Sequence, residues 1–544
     1  MEIFTYGIIF HQSIRIVVVW GYMDKLVSNT VKTEKKILAL LICISFVILF
    51  LEYIWYYNYP PFGENSDVYQ HLACIREISK GVIPPHNPIT ASNVPDVHYG
   101  PYLVLLGYIF ALTQINPIIL LYIAGLINLC LFIFFAFKFT KEMLGERIAI
   151  FSVMSMLFIW GPLGRFAGVY KIFAAYNFFF PQGIAYTLLF ASLYCLIKAK
   201  TDKRYMIFSI VLSVLLFTTH LLTGTLYLIL VYLFLIADCY KTKFDKSYHL
   251  FLIGLPIITF LISLLWPFYP VLDAFLVRSL SPHASLTLKS TFSLSTSPIT
   301  VPEKYSGNLF YTFGCIFARM FLPPYRITHY PPIAGFACFG IIGLWRLIKE
   351  RRIFFSLWFF FCFFMVVILA PYYERFFLFS LIPLHIGLGI LLDKLFRTEK
   401  KFLTYFVISL LVLSFLSTGF VEYSTFHKTD LNYNFIINNT ERDSVIMSDK
   451  YTSWKIPALT GRKVIYGLHG CGYPNNDAER LNAINTFYNL TTSDKERYEI
   501  LKKYNVSYVV VNNKTKPLKL FYPIKYQDNR FILYDCRYIK YKSS

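Results

Sequence analysis

Six ionisable side chains, Asp67, His71, Arg76, Glu77, Asp96 and His98, crowd into one polar stretch of an otherwise apolar chain. The stretch, residues 64–101, opens at Glu64 and ends in His98-Tyr99-Gly100-Pro101. A long apolar segment lies behind it and a series of apolar segments lies ahead. Asp67 and His71 stand four positions apart and Asp67 and Gln70 three, so on a helix all of them share one face. A carboxylate in that setting can take the proton of an acceptor hydroxyl, or hold a divalent cation that in turn holds a diphosphate. The competing reading is structural: Asp67 is also a favoured N-cap for a helix running from Val68 to Ser79.

The elements that must position these groups are membrane helices. The 544 residues are 56% hydrophobic and only 15% charged, where a soluble chain carries about 25% charge. Apolar runs of roughly 17–25 residues recur, the length a helix needs to cross a bilayer. The net charge of +21 does not indicate nucleic acid, because much of the Lys and Arg sits in short clusters between apolar runs. The rest suits anionic headgroups or phosphorylated lipid. The ten cysteines lack CxxC spacing, which argues against a metal or redox motif. Cys471 and Cys536 share the polar tail and are a candidate pair if that tail is extracellular. Met1–Tyr22 reads as an interfacial helix, with no cleavable signal peptide.

Lys25, Lys32, Lys35 and Lys36 place the N-terminus in the cytoplasm, ahead of a first span at 37–57. Further spans are expected at about 117–137, 148–162, 182–198, 206–219, 222–239, 249–268, 330–347, 353–370, 376–393 and 402–420. If Tyr102–Thr113 enters the bilayer only partly, every basic cluster falls inside, giving about eleven full spans and a C-terminus outside. Segments 58–100, 163–181 and 269–329 then gather on the outer face with the tail. Short apolar runs alternating with helical patterns make residues 421–544 an α/β domain. The expected fold is mostly α. A cytoplasmic or interfacial segment (1–36) leads into a polytopic helical bundle (37–420), and a small extracytoplasmic α/β domain (421–544) follows. Sequons at Asn438, Asn489, Asn505 and Asn513 are compatible with that placement.

A D-x-x-x-H-L pattern beginning at Asp67 is followed by a helical stretch. Pro84-Pro85, Asn87-Pro88 and His98-Tyr99-Gly100-Pro101 come next, at the mouth of the following apolar piece. This resembles the first outside loop of the GT-C superfamily of membrane glycosyltransferases, which includes oligosaccharyltransferases, protein mannosyltransferases and aminoarabinose transferases. The specific part covers about forty residues. The resemblance implies a polyprenyl-phosphate sugar donor and a catalytic role for Asp67. The chain departs from oligosaccharyltransferases in two places: loop 163–181 has no Asp or Glu, and the tail lacks a WWDYG motif. Both departures argue against protein N-glycosylation. They also leave metal dependence open. A Mg or Mn ion at Asp67 would need Glu64 or Asp96 beside it, and otherwise there is no metal.

Under this resemblance a carrier phosphate needs cationic partners. Arg165 and Lys171 suit it, since the guanidinium fork matches phosphate oxygens, although interfacial snorkelling explains them equally. His220, in Thr218-Thr219-His220-Leu221-Leu222-Thr223-Gly224, can donate to a phosphate or line a sugar pocket; a helix-turn histidine bonded to nearby backbone is the alternative. Arg375 is a second phosphate ligand, with Glu374 as its orienting partner or as a site carboxylate, unless the pair is only a helix start at the interface. The function expected is a membrane glycosyltransferase acting on an extracytoplasmic glycan, lipid or protein. A lipid-linked glycan transporter and a surface scaffold are the alternatives; a transporter would show paired halves and internal symmetry, and neither is visible.

Overall fold

The apolar runs fold as helices whose ends are set by local chemistry. The computed structural model describes residues 67–93, 95–158, 179–241, 245–280, 339–367, 373–397, 432–467, 477–514 and 518–537, together with Cys43. Glu64, Arg165, Lys171 and Cys471 lie outside the described residues, as does the Glu374 side chain. So do the expected span 402–420 and, apart from Cys43, the span 37–57.

In chain order the helical part comprises α1 (Val68–Ile78), α2 (Pro101–Thr113), α3 (Pro117–Leu144), α4 (Glu146–Phe158), α5 (Pro181–Lys198), α6 (Arg204–Thr219), α7 (Leu221–Lys241), α8 (Lys246–Ser263), α9 (Val271–Leu280), α10 (Gly340–Lys349), α11 (Phe354–Val367) and α12 (Tyr373–Arg397). Asn116 caps α3 by accepting from the Ile118 N–H, with Pro117 pre-set at the first helical position. Asp245 caps α8 by accepting from the Ser247 and Tyr248 N–H groups. Among the described residues four helical segments are long and apolar enough to cross a membrane: Pro117–Leu144, Leu221–Lys241, Lys246–Ser263 and Leu378–Arg397. The segments Pro101–Thr113, Arg204–Thr219 and Phe354–Val366 are shorter apolar helices. At 1.5 Å per residue α2 is about 20 Å long, short of the ~30 Å hydrocarbon layer. Its end is set by Gln114 in the left-handed conformation (φ 54°). Helices α3–α8 and α10–α12 share one apolar core that includes Phe132, Tyr186, Leu230, Trp358 and Phe379.

The C-terminal residues form α13 (Asn434–Asn439), β1 (Val445–Met447), α14 (Lys450–Thr460), β2 (Lys463–Val464), α15 (Asp477–Phe487), α16 (Asp494–Lys503), β3 (Tyr508–Asn512), β4 (Ile524–Gln527) and β5 (Phe531–Asp535). The sheet order is β2-β1-β3-β5-β4. Strand β1 runs parallel to β2 and β3, and β5 runs antiparallel to β3 and β4. Strand β3 is buried along its whole length, as its near-continuous apolar sequence requires of a central strand. Ser493 caps α16 through the Glu496 N–H.

This sheet is not separate from the polar stretch near the N-terminus. Helix α1 packs on α14, where Arg76 Nε donates to the Ala458 carbonyl at 2.7 Å. The Val464 N–H donates to the Ile89 carbonyl at 2.8 Å, and Thr90 forms a parallel bridge with Val464 beside the edge strand β2. Lys463 Nζ reaches Glu77 Oε2 at 2.7 Å and also bonds the Asn87 carbonyl. Val68, Tyr69 and Leu72 of α1 share a core with Trp454 of α14 and with Val464 and Val510 of the sheet. The residues resembling the first loop therefore sit between the end of the bundle and the C-terminal sheet.

Candidate active site

Asp67 stands at the N-cap position of α1 but makes no side-chain cap hydrogen bond. Its backbone is already helical (φ −60°, ψ −13°), whereas capping needs an extended residue. The carboxylate is exposed. One turn on, Gln70 and His71 are buried, at 7% and 5% exposure. Helical geometry sets both beside Asp67.

The Asp96–His98 turn meets this face. Asp96 is fully buried. Its Oδ1 accepts from the His98 backbone N–H at 2.8 Å and lies 2.5 Å from His98 Nδ1. Its Oδ2 accepts from Gln70 Nε2 at 2.8 Å. Burial pushes the Asp96 carboxyl up, but the His98 charge and the hydrogen bonds from His98 and Gln70 outweigh it and hold the group below its ordinary value. With both oxygens hydrogen-bonded, Asp96 orients His98. Among the described residues no three His, Cys, Asp or Glu side chains gather as a metal site would need.

The His71 ring lies 5.6 Å from that of His98 and 5.3 Å, edge-on, from Phe180. Burial, and then the charge of His98, push the His71 imidazole well below its ordinary value; Asp96 opposes this and His220 adds to it. His71 is therefore neutral at pH 7, and its buried Nδ1 has no hydrogen-bond partner among the described residues.

His220 occupies the break between α6 and α7, in extended conformation (φ −151°). Its Nδ1 accepts from the Thr223 N–H at 3.2 Å and lies 2.8 Å from Thr223 Oγ1, which leaves the hydrogen on Nε2. The loop presses on this break: a Cβ at Gly100 would come within 2.8 Å of the Thr218 carbonyl oxygen and 2.9 Å of Thr219 Cα. Trp266 Nε1 donates to the Tyr99 carbonyl and Tyr269 Oη to the Thr218 carbonyl, at 2.9 and 2.8 Å.

Arg375, at the start of α12, donates to Gln182 Oε1 at 2.9 Å. Gln182 lies two residues beyond Phe180, the ring that meets His71. Phe179 is fixed in turn by Tyr102 Oη, which donates to its carbonyl at 2.9 Å. Asp67, His71, Asp96, His98, His220 and Arg375 are thus linked at one end of the bundle. Gln182 and Thr223 carry no ionisable signal, and sequence reasoning did not single them out.

No protein-family model and no curated sequence matches the chain. Solved structures do match. The apo oligosaccharyltransferase of Archaeoglobus fulgidus superposes with a TM-score of 0.56 at 13% identity, over 89% of this chain and 70% of that one. The archaeal oligosaccharyltransferase AglB of the same organism, in complex with an inhibitory peptide and a dolichol-phosphate, gives 0.57 at 15% identity, over 88% and 69%. The Archaeoglobus fulgidus complex with zinc and sulfate gives 0.54 at 14%, over 87% and 68%. The chain has the GT-C fold. With that fold and four helical segments long and apolar enough to cross a bilayer among the described residues, it is a multi-pass membrane protein. Helix α1 and the Asp96–His98 turn, where the GT-C resemblance is most specific, are also where the ionisable groups converge.

Proposed function

We propose that this chain is a membrane glycosyltransferase that moves a sugar from a polyprenyl-phosphate-linked donor to a glycan, lipid or protein acceptor. Its site faces the outside, with the N-terminus in the cytoplasm and the C-terminal sheet extracytoplasmic. The observation that carries this reading is the gathering of Asp67, His71 and the Asp96–His98 pair around α1 at one end of a GT-C bundle, with Phe180, next but one to the Gln182 that holds Arg375, against His71. The structural neighbour bound to dolichol-phosphate supports the donor class.

The reaction is a single displacement. Asp67 takes the proton of the acceptor hydroxyl as its oxygen attacks the anomeric carbon. The bond from that carbon to the phosphate oxygen breaks, and its electron pair stays on the phosphate. Arg375 offers a charge-assisted fork to the developing negative charge, and His220 offers an N–H. Arg165 and Lys171 are assigned to the same phosphate. The C-terminal sheet braces α1 through Arg76 and Lys463.

The test is transfer from a panel of radiolabelled polyprenyl-phosphate sugars to native envelope acceptors, comparing wild type with Asp67→Asn at matched expression. The variant is expected to lose on the order of a hundredfold or more of the rate. Equal rates would remove Asp67 from the chemistry. No transfer by the wild type with any donor would sink the glycosyltransferase reading.

A further inference from the structure

The Asp96–His98 pair has a geometry that mere packing does not require. Ionised Asp96 has no hydrogen to give, so the 2.5 Å contact with Oδ1 makes His98 Nδ1 the donor. Gln70 Nε2 bonds the other Asp96 oxygen and stands 3.0 Å from His98 Nδ1, closing that side of the ring. The orientation of the ring is fixed by a carboxylate that is itself wholly buried, while the His98 side chain keeps 30% of its surface exposed. Beside it lies the buried His71 Nδ1 without a partner among the described residues. Buried polar atoms are nearly always bonded, so an orphan of this kind marks a place where a ligand atom or a water belongs. His71 also touches Phe180, two residues from the glutamine that holds Arg375.

We infer that His98 is a catalytic acid, whose Nε2–H gives its proton to the phosphate oxygen that leaves the sugar, with Asp96 and Gln70 as positioning residues. This rests on the transferase reading above and deepens it. The atoms balance. The acceptor oxygen bonds the anomeric carbon as the carbon–phosphate oxygen bond breaks. The acceptor proton goes to Asp67 and the His98 proton to the phosphate oxygen, and solvent then takes one proton from Asp67 and returns one to His98. The division of labour follows from the surroundings: Asp96 occupies His98 Nδ1 and leaves Nε2 as the nitrogen that can serve the leaving oxygen, while neutral His71 supplies a hydrogen bond beside it. Among the described residues the ionisable groups facing His98 are Asp96 on its own turn and His71 on α1, with His220 acting on His71 from the α6–α7 break.

The experiment uses the full chain in detergent with the polyprenyl-phosphate sugar on which the wild type turns over. His98→Gln is expected to lower kcat by about 10²- to 10³-fold with KM changed less than about threefold. Asp96→Asn is expected to lower kcat by about a hundredfold with KM little changed, because the ring loses the acceptor that orients it. His98→Ala is expected to recover by about tenfold in added imidazole, which a misfolded variant does not. A His98→Gln enzyme within about threefold of wild type overturns the proposal and leaves the transferase reading standing. Failure of imidazole rescue also counts against it. A wild type that transfers nothing brings down both.

Discussion

The two ends of the bundle each carry a histidine–aspartate pair, and the two pairs are built for different ends. Helix α7 separates them: His220, in the site, precedes it, and Asp238 lies near its far end, about 30 Å away by helix rise. At the far end His249 is fully buried, with Nδ1 2.7 Å from the Asp245 carbonyl oxygen and Nε2 3.3 Å from Asp238 Oδ2. Lys200 also lies on both Asp238 oxygens, at 2.9 and 2.8 Å. The His249 ring is wholly buried and the Asp238 charge is already matched by Lys200, so the pair joins helices. At the site end Asp96 holds one nitrogen of a half-open ring, and among the described residues no lysine pairs with it. The same two residue types are closed in one place and poised in the other.

Substituting the two aspartates alike should separate these roles. Asp96→Asn is expected to cost about a hundredfold in turnover. Asp238→Asn is expected to leave turnover within about twofold and to lower stability by about 1–2 kcal/mol, since Lys200 loses a charged acceptor. Transfer rates and thermal unfolding of both variants in one detergent decide it. Loss of turnover in Asp238→Asn would break the distinction.

A third ionic pair, on the site end, sharpens it. Lys463 and Glu77 join the C-terminal sheet to α1, with side chains only 9% and 4% exposed. Glu77 keeps Lys80 at 2.9 Å, so Lys463→Met is expected to cost about 2–3 kcal/mol, at the lower edge of what breaking a buried pair costs. Burial lowers Lys463 from 10.5 to about 8, against the raising effect of Glu77. Between those two values the unfolded chain holds a proton that the folded one has released, so this lysine makes stability rise with pH across that window. The advantage of wild type over Lys463→Met should therefore grow from pH 8 towards 10.5. Unfolding curves across that range check the sign, and an advantage that shrinks would mean that the lysine stays charged in the folded state.

These contrasts also mark what the sequence could convey. Apolar runs announced the membrane helices because their length is set by the bilayer. Asp67, Gln70 and His71 announced a common face because helix spacing is fixed. Strands β1, β3 and β5 showed as Val-Ile-Met, Tyr-Val-Val-Val-Asn and Phe-Ile-Leu-Tyr-Asp because buried strands read as apolar runs. Strand β4 is mostly exposed and carries no such pattern. Helix α14 was hidden by Pro457 and β-branched residues, and it forms because Asp449 caps it and α1 packs on it. The partnership of Asp96 with Gln70, or of Arg375 with Gln182, depends on the fold bringing separate segments together. A glutamine in a sequence gives no hint of which acceptor or donor it will meet.

The smallest effect tests the reading of Asp67 most directly, by setting it against Asp449. Both stand at helix N-termini, on helices that pack together. Asp449 is extended (φ −61°, ψ 159°), and its side chain accepts from the Tyr451 and Thr452 N–H groups at 3.0 and 3.2 Å. Asp67, helical and without a cap bond, does neither. Asp449→Ala is expected to cost about 1 kcal/mol with transfer preserved. Asp67→Ala is expected to leave stability within about 0.5 kcal/mol, because an exposed side chain that caps nothing contributes little to the helix. Unfolding of the two variants side by side measures this. If Asp67→Ala proved as destabilising as Asp449→Ala, its carboxylate would be a structural group after all, and lost transfer in Asp67→Asn would no longer point to chemistry.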